Sequence, residues 1–138
     1  MKVRIALGLG WVLMATVLYG QTAPSWPCSS DLTKSEGDNR RIRISTGVSE
    51  GLAEKKILPD VADLKGAKVD STVIIRVLVD KNGVVRCADP VSGDASLFQR
   101  STEAAQQWRF KPFLLNGQPL IFESQIEFVF KKNKVKAS

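Results

Sequence analysis

Two stretches of strict alternation constrain this chain more than anything else in it. In STVIIRVLVDKNGVVRCADPV, Val73, Ile75, Val77 and Val79 fall on one face of an extended segment, while Arg76 and Asp80 point the other way. In LIFESQIEFVF, Phe122, Ile126, Phe128 and Phe130 share a face opposite Glu123, Gln125 and Glu127. Side chains of a strand alternate between two faces, so period two sustained over such lengths describes strands buried on one side only. A sheet of that kind needs a cover for its apolar face, and helices packed on that face supply one.

The segments between these strands carry matching signals. Asp80, Asn82 and Gly83 in DKNG suit a tight connection, which makes Val84 to Asp89 the return strand of an antiparallel hairpin. Pro90 cannot donate to a ladder, so the far end of that strand lies at an edge or has left the sheet. In SGDASLFQRSTEAAQQW, Ser92 or Asp94 can cap a helix whose apolar stripe is Leu97, Phe98, Ala104, Ala105 and Trp108. Pro112 cannot continue it. PDVADLKG predicts a helix of one to two turns, with Pro59 at its first position, Asp60 complementing the dipole and Gly66 closing it. Upstream, Arg41 to Ser45 (RIRIS) reads as a short half-buried strand with Ile42 and Ile44 on one face. VSEGLAEKKIL stays open between an irregular segment and a short helix, because Gly51 and the Lys55-Lys56 pair interrupt its spacing.

This order predicts an α+β fold, a small antiparallel three- to four-stranded sheet packed on two helices. The last strand should pair antiparallel beside the first hairpin strand and form an edge, unless RIRIS covers it.

The N-terminal residues read as an export signal over 1–20: MKVR is basic, Ile5 to Tyr19 is uncharged, and small residues surround a cut after Gly20 or Ala23. A retained inner-membrane anchor over residues 5–20 is the alternative, although a spanning helix needs roughly 20 apolar residues and Gly8 and Gly10 interrupt this run. Residues 21–40 are polar and without period, a linker; 41–131 form the domain, and 132–138 a basic tail. Loss of Lys2 and Arg4 with the signal lowers the formal charge from +6 to +4, too mild a value to specify a polyanionic partner. Export would carry Cys28 and Cys87 into an oxidising compartment, where a bridge between them could add ~4 kcal/mol by loop-closure arithmetic. Cys87 is equally readable as a small apolar strand residue.

Several function classes lose their parts. The chain has no histidine, which removes the commonest general base and most zinc sites. Asp89 and Asp94 flank a turn and suit capping better than acid–base work. DKNGVV begins like a calcium loop, but Val84 and Val91 stand where oxygen ligands would be needed. No phosphate-binding loop follows the early GLG. No catalytic residue, metal or cofactor is expected. Arg40, Arg41 and Arg43, with Lys131, Lys132, Lys134 and Lys136, read as solvated charge, and no aromatic stacking motif on the sheet suggests nucleic acid.

DKNGVV, VSGD, the helix ending in QQWRFKPFLLNGQPL and the closing IEFVF together resemble the TonB C-terminal domain family over about residues 45 to 130. The Trp-Arg-Phe-Lys-Pro run followed by Asn-Gly is the most specific part. The resemblance implies that Trp108 and Phe110 are core residues and that the chain turns at Asn116-Gly117 into its last strand. Two departures are local: Pro59 stands without the tyrosine that often precedes it, and Ser71 occupies a position where a glycine often opens the strand.

The family resemblance further implies a periplasmic binding domain that adds an extended peptide, such as a segment of an outer-membrane receptor, to the edge of its last strand around Leu120 to Phe128. Leu120, Glu123, Gln125 and Glu127 would be the partner-binding residues, with main-chain hydrogen bonds giving affinity and outward side chains selectivity. The alternative is a scaffold domain whose edge pairs with a second copy or is capped by RIRIS. A full energy transducer of this family resembles an anchor, a long proline-rich spacer and the domain. Here there are six prolines, and a linker of roughly 20 residues reaches only about 70 Å fully extended, so an anchored transducer is not expected.

Overall fold

The computed structural model describes Cys28 and residues 41–64, 69–132 and 134–138. The expected signal or anchor, the linker apart from Cys28, and the turn at Gly66 lie outside the described residues.

Within them the chain runs β1 (Arg41–Arg43), α1 (Thr46–Leu52), β2 (Ala53–Lys55), a 3-10 turn (Ala62–Leu64), β3 (Asp70–Val79) and β4 (Val85–Ser92). A second 3-10 turn (Ala95–Leu97) leads into α2 (Phe98–Gln106), followed by β5 (Arg109–Phe110), β6 (Phe113–Leu115), β7 (Gln118–Lys131) and β8 (Lys134–Ala137).

β7 is the axis of the sheet. It pairs antiparallel with β3 from Val79 opposite Phe122 to Asp70 opposite Lys131, and β3 pairs antiparallel with β4. On its other side β7 carries β1 in parallel, Arg41 to Arg43 opposite Ile121 to Glu123, and β8 antiparallel, Phe128 to Lys131 opposite Ala137 to Lys134. The fold is α+β as expected, with one correction: the sheet has six strands and is mixed, where three to four antiparallel strands were expected. The last strand is interior to it, with RIRIS against its flank, the case the sequence had left open. Residues expected as a solvated tail supply β8 because their own sequence alternates: Val135 and Ala137 pack against the core while Lys134 and Lys136 stay exposed.

The helical segments also differ from expectation. α1 forms in the stretch left open by sequence, where the Ser45 side chain accepts from the Val48 N–H and closes the first turn. The Pro59 segment yields only the 3-10 turn, tied down by Asp60, whose carboxylate accepts from the Ala62 N–H. In the hairpin between β3 and β4, Asp80 takes both roles of a turn residue. One carboxylate oxygen accepts from the Asn82 and Val84 N–H groups at 2.9 Å each, and the other from Arg86 at 2.6 Å. Asn116 and Gly117 both have positive φ, 51° and 77°, the conformation a two-residue β6–β7 hairpin requires.

The core lies between the sheet and α2. Val73, Ile75, Val77 and Val79 of β3 meet Phe122, Ile126, Phe128 and Phe130 of β7, with Leu97, Ala104, Ala105, Trp108 and Phe110 above them. Trp108 is 1% exposed, stacks edge-on against Phe128 at 6.1 Å, and donates its indole N–H to the Ile57 carbonyl at 2.9 Å. Phe110 meets Phe122 edge-on at 5.6 Å. The aromatic and basic run that precedes Asn116-Gly117 therefore builds the core, its two largest rings turned inward. Gly83 is required where β5 crosses the hairpin: its φ is +79°, and a Cβ there would sit 1.7 Å from the Phe110 carbonyl oxygen.

Candidate functional site

The opposite face of the sheet has no helix among the described residues, and it is organised by polar and covalent links. Cys28 and Cys87 form a disulfide, with Leu78 and Ile121 packed around it. The Cys28 N–H donates to an Asp89 carboxylate oxygen at 2.7 Å, and the same oxygen accepts from Arg76 at 3.3 Å. Alternation along β4 explains the pairing, since Cys87 and Asp89 share this face while Ala88 faces the core.

The four residues expected to meet a partner are not brought together as one strip. Leu120 lies opposite Phe113 in the β6–β7 hairpin and, by alternation, on the other face from Glu123. Glu123 points away from the helices as expected, yet it is only 6% exposed. One carboxylate oxygen accepts from Arg41, and the other from Arg43 at 3.0 Å. Burial alone would push this carboxyl up, but hydrogen bonding and charge from Arg41, then from Arg43, hold it below the usual carboxylate range. Glu127 is half-buried, and its backbone exchanges hydrogen bonds with Ser138. Gln125 alone among the four is exposed.

Gln125 sits at an interruption in the cover over β7. β1 stops with the Ile44 N–H donating to the Glu123 carbonyl, and the β8 side begins at Glu127, so no described strand residue is registered against Ser124, Gln125 or Ile126 on that flank. Ser124, on the core face with Phe122 and Ile126, is buried under α1, its hydroxyl donating to the Ser49 hydroxyl at 2.8 Å. A cleft of about 370 Å³ opens over this interruption, lined by Arg43, Thr46, Arg76, Val91, Glu123 and Gln125 among others. A wider hollow of about 670 Å³ at the β7–β8 end is lined by Val129, Lys131, Lys132, Lys134 and Lys136. The sequence signals for Glu123 and its arginines were all present in RIRIS and FESQ; what was missing was the register that sets them side by side.

Among the described residues no group of acidic or cysteine side chains has the geometry of a metal site, and no helix is long and apolar enough to cross a membrane.

A long strand flanked on one side by a full antiparallel ladder and on the other by two short strands, with helices over its apolar face, defines a small α+β domain built on a mixed sheet. The chain belongs to the family described as Gram-negative bacterial TonB protein C-terminal, whose family model matches residues 58–131. It is also similar to the protein TonB of Vibrio cholerae serotype O1, with 28% identity over 108 residues covering 67% of this chain and 44% of the relative. The chain thus matches less than half the length of that relative. No solved structure matches it. β1, α1, β2 and β8 all lie outside the residues that the family model matches.

Proposed function

We propose that this chain is an exported, periplasmic binding domain of TonB-dependent transport, which takes an extended peptide of an outer-membrane receptor or another envelope protein by strand addition to β7. The observation that carries it is the asymmetry of β7 within a TonB C-terminal domain. A ten-pair ladder holds one side to β3, while the other side is covered, among the described residues, by β1 and β8, with Gln125 exposed between them. Main-chain groups on that flank would give affinity, and Glu123, Gln125 and Glu127 on the open face would read the partner's side chains. The chain acts by binding, without catalysis or cofactor. Membrane association arises only if residues 5–20 are retained as an anchor.

A photo-crosslinking group placed at Val91, an exposed residue lining the same cleft as Gln125, tests this in the exported protein. Recovery of outer-membrane receptors, abolished by Gln125→Pro in a chain that keeps its buried-tryptophan near-UV signal, is the expected result. The presence of β1 on the flank favours a second reading, an edge-capped scaffold or a self-pairing dimer. Recovery of the chain alone, with dimerisation or aggregation once residues 41–45 are deleted, would support that reading and remove the first.

A further inference from the structure

We infer that β1 is an internal ligand of the β7 flank, and that the partner strand is one that carries its pattern: two cationic side chains on alternate positions over Glu123, apolar residues at the positions between, running parallel to β7. This rests on the strand-addition reading and says what the strand must look like and what it must displace.

Four observations converge on it. β1 is a three-residue strand with no partner other than β7 among the described residues, and it lies outside the part of the chain that matches the family model. A segment outside the residues matched by the family model therefore occupies the flank where a partner would add. Its pairing is parallel, whereas every other strand beside β7 is antiparallel. Ile42 and Ile44 pack partly against the core, while Arg41 and Arg43 converge from the opposite face on one carboxylate. Finally, that carboxylate is nearly inaccessible. Removal of β1 by a partner lacking cations would leave Glu123 buried and unpaired, a state that costs far more than an exposed charge without a mate. Glu123 thus acts as the filter: it admits a strand that replaces both arginines and rejects one that does not. β1 is also short and held from both flanks, by α1 after it and by the Cys28–Cys87 bridge before it, so it can leave and reseat without being lost. While seated, it reduces the apparent affinity of any competitor in proportion to the fraction of time it stays.

The test uses the full chain and two fluorescent synthetic peptides, one copying residues 40–46 and one with its arginines replaced by glutamate. The double variant Arg41→Ser, Arg43→Ser unseats β1 through side chains that lie outside the core, and the near-UV signal of Trp108 reports that the fold remains. The basic peptide should bind this variant about tenfold more tightly than the wild-type chain, since the internal competitor is weakened. The acidic peptide should bind it on the order of 100-fold more weakly than the basic one, because it sets like charges around a buried carboxylate. Glu123→Gln should shrink that preference to a few-fold. Equal binding of the basic peptide to variant and wild type would overturn β1 as an internal ligand, and indifference to peptide charge would overturn the filter, while leaving strand addition intact. If neither peptide, nor a neutral threonine-substituted one, binds the folded variant, strand addition itself falls and this inference with it.

Discussion

The two faces of the central sheet solve the same problem by different means. Beneath α2 the strands bury rings and branched aliphatics against one another, with Trp108, Phe122, Phe128 and Phe130 almost wholly removed from water. On the open face no helix covers the strands among the described residues, and what holds that side is one disulfide, a hydrogen bond from the Cys28 N–H to Asp89 of β4, and ion pairs that bind β1 to β7. Apolar packing is indifferent to redox state and pH, whereas thiols and carboxylates answer to both. The helix-covered face therefore sets whether the domain folds, and the open face sets whether the flank of β7 is covered.

That contrast can be broken most severely from the inside. Trp108→Ala should cost about 3–5 kcal/mol, from lost transfer energy and an unfilled cavity; it also leaves the Ile57 carbonyl without its indole donor. Denaturant unfolding would measure it, and a loss below about 1 kcal/mol would mean that the rings do not carry the core. Next in size is the bridge. Its removal in a Cys28→Ser, Cys87→Ser variant should lower stability by ~4 kcal/mol on loop-closure arithmetic for a separation of 59 residues. Proteolysis or hydrogen exchange should show the loss spread over β4 and β1, while Trp108 stays buried.

Glu123→Ala should be milder, about 1–2 kcal/mol, because Arg41 and Arg43 can turn to solvent once their shared acceptor is gone. Its signature is local: faster amide exchange at Ile44, whose N–H donates to the Glu123 carbonyl, with β3 protection unchanged. The pH dependence follows from the same carboxyl. Its folded-state value is depressed, so its contribution is complete above the ordinary carboxylate range and is lost as pH falls through the lower folded value. Protection of β1 should be flat down to about pH 4 and fall below it. Asp63 and Asp94 are shifted in the same direction by Arg100 and by Ser96 respectively, so Glu123→Gln is the control that must abolish the β1 response. Smallest of all should be Asp63→Asn, which removes an exposed two-pronged pair with Arg100 and should leave both faces intact in thermal unfolding.

Much of this was legible in the chain itself. Period-two alternation marked β3 and β7 and placed their core residues on the correct face, because side-chain direction in a strand is a local property. DKNG and Asn116-Gly117 marked the turns for the same reason, as their backbone conformations depend on residues in immediate sequence. α1 escaped because its start depends on one serine cap and its packing on Ser124 of a distant strand. β8 escaped because four lysines in a short terminal run look like solvated charge until β7 offers a ladder beside them.

Local spacing and turn chemistry alone specify a one-sided sheet under an amphipathic helix whose apolar stripe includes Trp108; that Phe110 also turns inward was implied only by the family resemblance. Only the tertiary structure decided which flank of β7 is covered and by what. Strand order, the parallel docking of β1, the meeting of Arg41 and Arg43 with Glu123 and that of Cys28 with Cys87 are all contacts between residues far apart in the chain. Such contacts form only where loop-closure entropy is offset by what is buried at the meeting point, and no local pattern in either partner encodes the other.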